Sequence, residues 1–352
     1  MNRDGQIDSL RCLCNYMIVV LHGWAAYQYC NNTTTEYHVW DFVCNVIMSS
    51  AMSVLFFLSG YLLMRNFTMS TYKKKIIRRI KRLAIPYISW NCLFVLIYIS
   101  FASVFPRLND RVVSYGLDTW HGALCKIISF VEAPIDGPLW FLRALFLYSI
   151  CSPVVFYASR MGKGIFISIL IAWTVISCFT GLERDLTHCY PAYSVLSFTI
   201  GCIWAGKTSN LFSCFVRGKF LLIGIGILGL STLLFCREIH SISWRYLLWN
   251  LGMLLSGIWL LGVGNRIYHL LSGNKMFSYL QNASFFVYAG HFLFCSIPLH
   301  LIADKLSGFE TGKPTILISG VFVGIGLLIC LCVYSVGKRI LGKSFSIFDG
   351  TL

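Results

Sequence analysis

Residues 9–24 read SLRCLCNYMIVVLHGW, a mostly apolar run with Arg11 near its start and His22 eleven positions further on. An α-helix turns about 100° per residue, so eleven positions make three turns plus about 20°. Arg11 and His22 therefore share a face. Asp8 and Asn15 fall on the same side, about 60° and 40° from Arg11. Eleven residues also rise about 16 Å, roughly half of a 30 Å hydrocarbon core. One narrow stripe thus carries a cation near one membrane face and an imidazole near the midplane. Ionisable groups are costly in hydrocarbon and turn toward the bundle interior or a wet cavity. Arg11 alone would fit a side chain snorkelling to the headgroups, and His22 alone a packed histidine bonded to a carbonyl. The four residues together read as a functional stripe, with an imidazole suited to base or nucleophile work near neutral pH.

The rest of the chain sets this helix in a membrane protein. Of 352 residues, 57% are hydrophobic and 12% charged, about half the charge of an ordinary soluble domain. Too little polar surface remains to solvate a globule. Ten apolar runs are long enough to read as spans: about 10–29, 42–64, 83–105, 138–157, 164–180, 189–206, 219–236, 244–262, 276–302 and 314–337. No fixed-period repeat divides them, so the expectation is an all-α polytopic membrane protein with a single domain over residues 1–352. The first run is too long for a cleaved leader and reads as a retained helix.

The net charge of +15 follows the same pattern. Alternate connections, counted from the N-terminus, hold 20 of the 29 Lys and Arg residues, and the opposite set holds 8. The positive-inside rule then puts both termini in the cytoplasm, together with a basic loop at 65–82, RNFTMSTYKKKIIRRIKR. The basic excess is a topology signal, and no nucleic-acid partner is expected. The 15 cysteines form no CxxC pair, and the eight histidines have no metal-site spacing.

Several stretches, taken in order, resemble the integral membrane acyltransferase family 3. IDSLRCLCNYMIVVLH (7–22) is similar to its first helix, with an acid, then Arg, ten residues and His. VLFFLSGYLL (54–63), KKKIIRRIKRLAIPYISW (73–90), GPLWFLRALFLY (137–148) and SFFVYAGHFLF (284–294) resemble its later signatures. The resemblance covers nearly the whole chain. It implies transfer of an acyl group, usually acetyl from acetyl-CoA as co-substrate, to a hydroxyl of an extracytoplasmic glycan or lipid-linked saccharide at the bacterial inner membrane. No tightly bound cofactor is expected, nor the C-terminal esterase-like domain of some relatives.

On that reading His22 is the general base or a transient acyl carrier, with Arg11 and Asp8 completing the catalytic set. Asp8 orients or pairs with Arg11 rather than acting on the substrate. Arg78, Arg79 and Arg82 are matched by the resemblance to the donor-binding run. Arginine's planar fork suits phosphate, and a regular helix would put Arg78 and Arg82 one turn apart. Asn15, Arg143, Tyr288 and His291 are the substrate or supporting candidates. Trp120, His121, Glu132 and Asp136 are expected on an external loop, as sugar contacts or as ordinary interface residues. Two alternatives stay open: another acyl donor such as succinyl-CoA, and a transporter or flippase for a lipid-linked glycan or small molecule.

Overall fold

A computed structural model describes residues 4–28, 42–104, 106–128, 133–161, 163–180, 190–205, 219–298 and 313–352. Among these residues the secondary structure is helical, with no strand. In chain order the helices are α1 (Gly5–Gln28), α2 (Phe42–Met64, opening with a π-helical stretch Phe42–Met48) and α3 (Met69–Phe101). The short α4 (Pro106–Ser114) and α5 (Trp120–Ile128) follow. Next come α6 (Trp140–Ile150), α7 (Ser152–Met161), α8 (Lys163–Thr180), α9 (Ala192–Ala205), α10 (Lys219–Phe235) and α11 (Ile242–Leu271). The last are α12 (Lys275–His291), α13 (Lys313–Leu341) and the single turn α14 (Ser346–Asp349).

The described parts of the ten apolar runs are largely helical, the run 138–157 being broken between two helices. Among the described residues, four helices are long and apolar enough to cross a membrane: α2, α3, α11 and a stretch Gly320–Asp349. A fifth span results if Gly137–Ile150 and Ser152–Arg160, bent by 52°, count as one. The helices α1 and α12 fall outside this set, and both carry polar side chains along their length. The arrangement of side chains is that of a protein in lipid. Ile165 on α8 is 70% exposed and Leu328 on α13 is 62% exposed, whereas Asn91, Arg143, Asn250 and His291 are buried. Lipid accepts the apolar groups, and the polar ones need partners inside the protein.

One expectation is corrected. The basic stretch 65–82 is not a loop. Residues Met69–Arg79 are α-helical and pass through a π-helical segment, Ile80–Ala84, into Ile85–Phe101. Lys and Arg are good helix formers, and the run holds no Gly or Pro to stop it before Pro86. Pro86 follows this π-helical segment within the continuous helix and supplies no N–H to the turn before it.

The chain forms two compact units whose segments alternate in sequence. The first holds the described residues of Met1–Leu21, Val39–Ile77 and Leu147–Ser284. Its tightest seam joins α2 to α9. A Cβ built on Gly60 would stand 2.0 Å from the Phe198 carbonyl oxygen, and one on Gly201 2.1 Å from that of Phe57. The two backbones touch there because no side chain intervenes, as in membrane helix pairs with small interface residues. Ser53 and Ser197 share a hydrogen bond of 2.7 Å beside this contact. At the start of α1, Gln281 donates to the Ser9 hydroxyl at 2.7 Å.

The second unit holds the described residues of His22–His38, Arg78–Phe146 and Phe285–Leu352. Its core is aromatic: Trp90, Phe94, Tyr98 and Tyr288 are fully buried. The chain end folds back into it. Trp90 Nε1 donates to the Phe348 carbonyl at 3.1 Å, and Phe345 packs on Phe286 and Tyr334. Lys338 reaches Asp349 at 3.8 Å, and Asp349 accepts from the backbone and hydroxyl of Thr351.

The α2–α9 seam makes a clear prediction. Gly201→Val forces a branched side chain into backbone and should destabilise the protein by at least the 1–3 kcal/mol typical of overpacking. A thermal melt in detergent checks this; an unchanged Tm would show that the helices can part without loss.

Candidate functional site

The second unit brings two of the expected histidines together. His22 of α1 and His291 at the end of α12 lie with ring centroids 5.0 Å apart, tilted by 46°. His22 is partly exposed, while His291 is 0% exposed. The backbone carbonyl of Tyr288 can only accept, so His291 Nδ1 is the donor between them. In the neutral ring that leaves Nε2 as a lone pair. It is buried and has no hydrogen-bond partner among the described residues. Immediately after His291 the helix widens into a π-helical stretch, Phe292–Ser296, a distortion frequent at functional sites.

Tyr288 extends this group. Its ring lies 6.1 Å from His291 and 5.9 Å from Phe141, and its hydroxyl donates to the Pro138 carbonyl. That bond fastens α12 to the turn Gly137–Leu139, which leads into α6. Asp136 stands at the head of the same turn. The sequence places it on an external loop, yet it is 0% exposed. Its backbone N–H donates to Asn91 Oδ1 at 3.2 Å, and Asn91 in turn donates to the Tyr87 carbonyl at 2.8 Å. Neither carboxyl oxygen has a hydrogen-bond partner among the described residues. Burial pushes the carboxyl well above its usual range. Arg143, two turns further along, is also buried.

The remaining external candidates part company with Asp136. Trp120 is 77% exposed, and His121 is exposed beside Cys125. Glu132 lies outside the described residues. Asn91 escaped the sequence reading altogether. A polar residue inside the apolar run 83–105 was the available signal.

The stripe on α1 divides between the units. His22 belongs to the second; Asp8, Arg11 and Asn15 belong to the first. There Arg11 is exposed, Asp8 is partly exposed and Asn15 is buried. The helix itself is continuous through all four positions.

The basic run is reshaped by its helical form. Arg78 and Arg82 are exposed and Arg79 is partly so. Arg82 sits within the π-helical segment, whose wider turn displaces it from the one-turn stacking that a regular α-helix would give with Arg78. Lys75 has a separate task. Its ammonium donates to the Leu63 and Arg65 carbonyls at 2.6 and 2.7 Å, closing the C-terminal end of α2.

Residues 4–335 match the profile of the acyltransferase domain family, acyltransferase family 3. The chain belongs to this family. No curated protein and no solved structure matches it. The protein is therefore a membrane acyltransferase in general class, with an acyl donor and an acceptor to accommodate. Within this acyltransferase, two imidazoles face each other, one of them locked in a single tautomer. A tyrosine beside His291 bonds to the turn that follows a buried carboxyl. Such a set can take a proton from a hydroxyl, hold it and return it.

Asp136 yields a test of that picture. A raised carboxyl pKa means that ionisation opposes folding. Stability should then fall as pH rises above the ordinary carboxylate value of about 3.9. Asp136→Asn keeps the shape and removes the charge. Its Tm should match the parent below about pH 4 and exceed it at pH 7, by roughly 2–4 °C per kcal/mol relieved. Identical melts at both pH values would mean that the carboxyl is already compensated.

Proposed function

We propose that this acyltransferase moves an acetyl group from acetyl-CoA to a hydroxyl of an extracytoplasmic or lipid-linked glycan, in a bacterial inner membrane with both termini cytoplasmic. The observation that carries the reading is the His22–His291 pair, set against buried polar groups in a chain of this family. In the direct route the acceptor oxygen attacks the thioester carbonyl while His22 takes its proton. The C–O bond forms, the C–S bond breaks, and the proton passes to the CoA thiolate. In the two-step route His22 takes the acetyl group first and hands it to the acceptor. Both give the ester and free CoA.

The other residues take roles around this step. Arg78, Arg79 and Arg82 bind the polyanionic head of CoA. Arg11 stands near the entry of the donor, and Asp8 orients the stripe to which Asn15 belongs. Tyr288 and His291 support the reacting group from α12. Arg143 holds a carbonyl or an acceptor oxygen.

The experiment uses purified protein in lipid nanodiscs with radiolabelled acetyl-CoA and a panel of glycans. His22→Ala should abolish transfer, at least 1000-fold, while the variant still inserts and melts as the parent does. Near-normal label in the glycan from that variant would end the proposal. Arg78→Ala with Arg82→Ala should raise the KM for acetyl-CoA by about tenfold or more, a loss of about 1.4 kcal/mol, with the acceptor KM unchanged.

A further inference from the structure

The structure assigns Asp136 to the acceptor end of the site, as a residue that binds hydroxyl groups of a neutral polyol such as a sugar ring, with His291 as its partner. This rests on the acyl-transfer reading for the identity of the reaction, but its own basis is separate. Buried polar side chains are hydrogen-bonded as a rule, and each exception needs a reason. Here two such groups occur in one chain of contacts. Both carboxyl oxygens of Asp136 and Nε2 of His291 are buried without a hydrogen-bond partner among the described residues. Tyr288 lies between them, its hydroxyl on Pro138 and its ring against His291.

The position of Asp136 is held firmly. Its amide is bonded to Asn91 on α3, and its own carbonyl accepts from Leu139 N–H at 2.9 Å. The next residue but one receives the Tyr288 hydroxyl from α12. Elements from three parts of the chain thus hold an acidic side chain in the interior. Leaving a buried polar group unpaired is costly, and that cost is met when a ligand hydroxyl arrives.

The chemistry of the two groups selects the ligand. The ring nitrogen is an acceptor, and a carboxyl that burial holds protonated accepts at one oxygen and donates from the other, so the complement is a hydroxyl group, which does both. No ion pair to Asp136 occurs among the described residues, and no cluster of three His, Cys, Asp or Glu residues there could hold a metal ion. Neighbouring hydroxyls on a sugar ring each donate and accept, at the spacing of the two oxygens of one carboxyl.

The test uses the full chain in nanodiscs and two readouts. Binding of methyl glucoside, methyl galactoside and methyl rhamnoside, each with its monodeoxy analogues, is followed by ligand-observed NMR. Transfer to the same hexosides is followed with radiolabelled acetyl-CoA. The parent should bind at least one hexoside. Asp136→Ala should weaken that binding and raise the acceptor KM tenfold or more, leaving the acetyl-CoA KM within twofold. The analogue lacking the contacted hydroxyl should bind parent and variant alike. Asp136→Asn preserves shape and keeps the test open if the alanine variant fails to fold; it should weaken hexoside binding without loss of Tm. Equal losses for donor and acceptor, a fall in Tm with an unchanged acceptor KM, or no hexoside bound by the parent would each overturn the assignment. Asp136-dependent binding without acetyl transfer would instead overturn the acyl-transfer reading and leave this site standing. Transfer with an acceptor KM indifferent to Asp136 would do the reverse.

Discussion

The cost of a polar group in hydrocarbon governs this structure. Water cannot solvate Asn91, Asn250 or His291 where they lie, so partners inside the protein take its place. Asn91 is met by the Tyr87 carbonyl and the Asp136 amide, Asn250 by Tyr193 and Tyr246, and His291 by Tyr288. Those that run between helices distant in sequence fix their rotation. The isoleucines of α8 meet no such demand, and their outward placement needs no further cause. Both carboxyl oxygens of Asp136 and the second nitrogen of His291 are among the few buried side-chain atoms, in the described residues, that have no hydrogen-bond partner.

Much of this was legible in the sequence. Apolar length located the helices, because length and hydropathy are local properties, but among the described residues four or five of them, not ten, are long and apolar enough to cross a membrane. The helical arithmetic on residues 8–22 holds because α1 is unbroken. What escaped was tertiary or a matter of backbone register. The charge of the run 65–82 suggests a loop, although its composition favours a helix. The π-helical turns at Ile80–Ala84 and Phe292–Ser296 have no compositional signature, yet they decide where Arg82 and the segment after His291 point. Asp136 precedes Gly137 and Pro138, which read as loop. Only contacts with Asn91 and Tyr288 carry that loop into the interior.

Of the three π-helical stretches among the described residues, those at Ile80–Ala84 and Phe292–Ser296 share a setting. Each lies in a helix that must carry polar residues and still join an apolar stretch, one beside the arginines and one beside His291. A π turn adds a residue to the circuit, rotates the helix beyond it, and leaves a backbone carbonyl less firmly bonded. Such turns let a helix serve two faces with different neighbours. A regular α-helix through Arg78–Trp90 would hold its arginines and its buried tryptophan in a fixed angular relation. The inserted turn frees one from the other.

The bond from Trp90 to Phe348 bears on the order in which the protein matures. Its partners are separated by 258 positions, and chains fold from the N-terminus as they are made. The third helix therefore enters the membrane long before its aromatic anchor has been synthesised. Until residues 345–348 leave the ribosome, Trp90 has no carbonyl to meet, and the Phe345–Phe286–Tyr334 packing cannot close around it. The nascent chain can accumulate its helices with this anchor still unset. It is set only once residues 345–348 have been made, so the aromatic core closes long after most of its members have been synthesised.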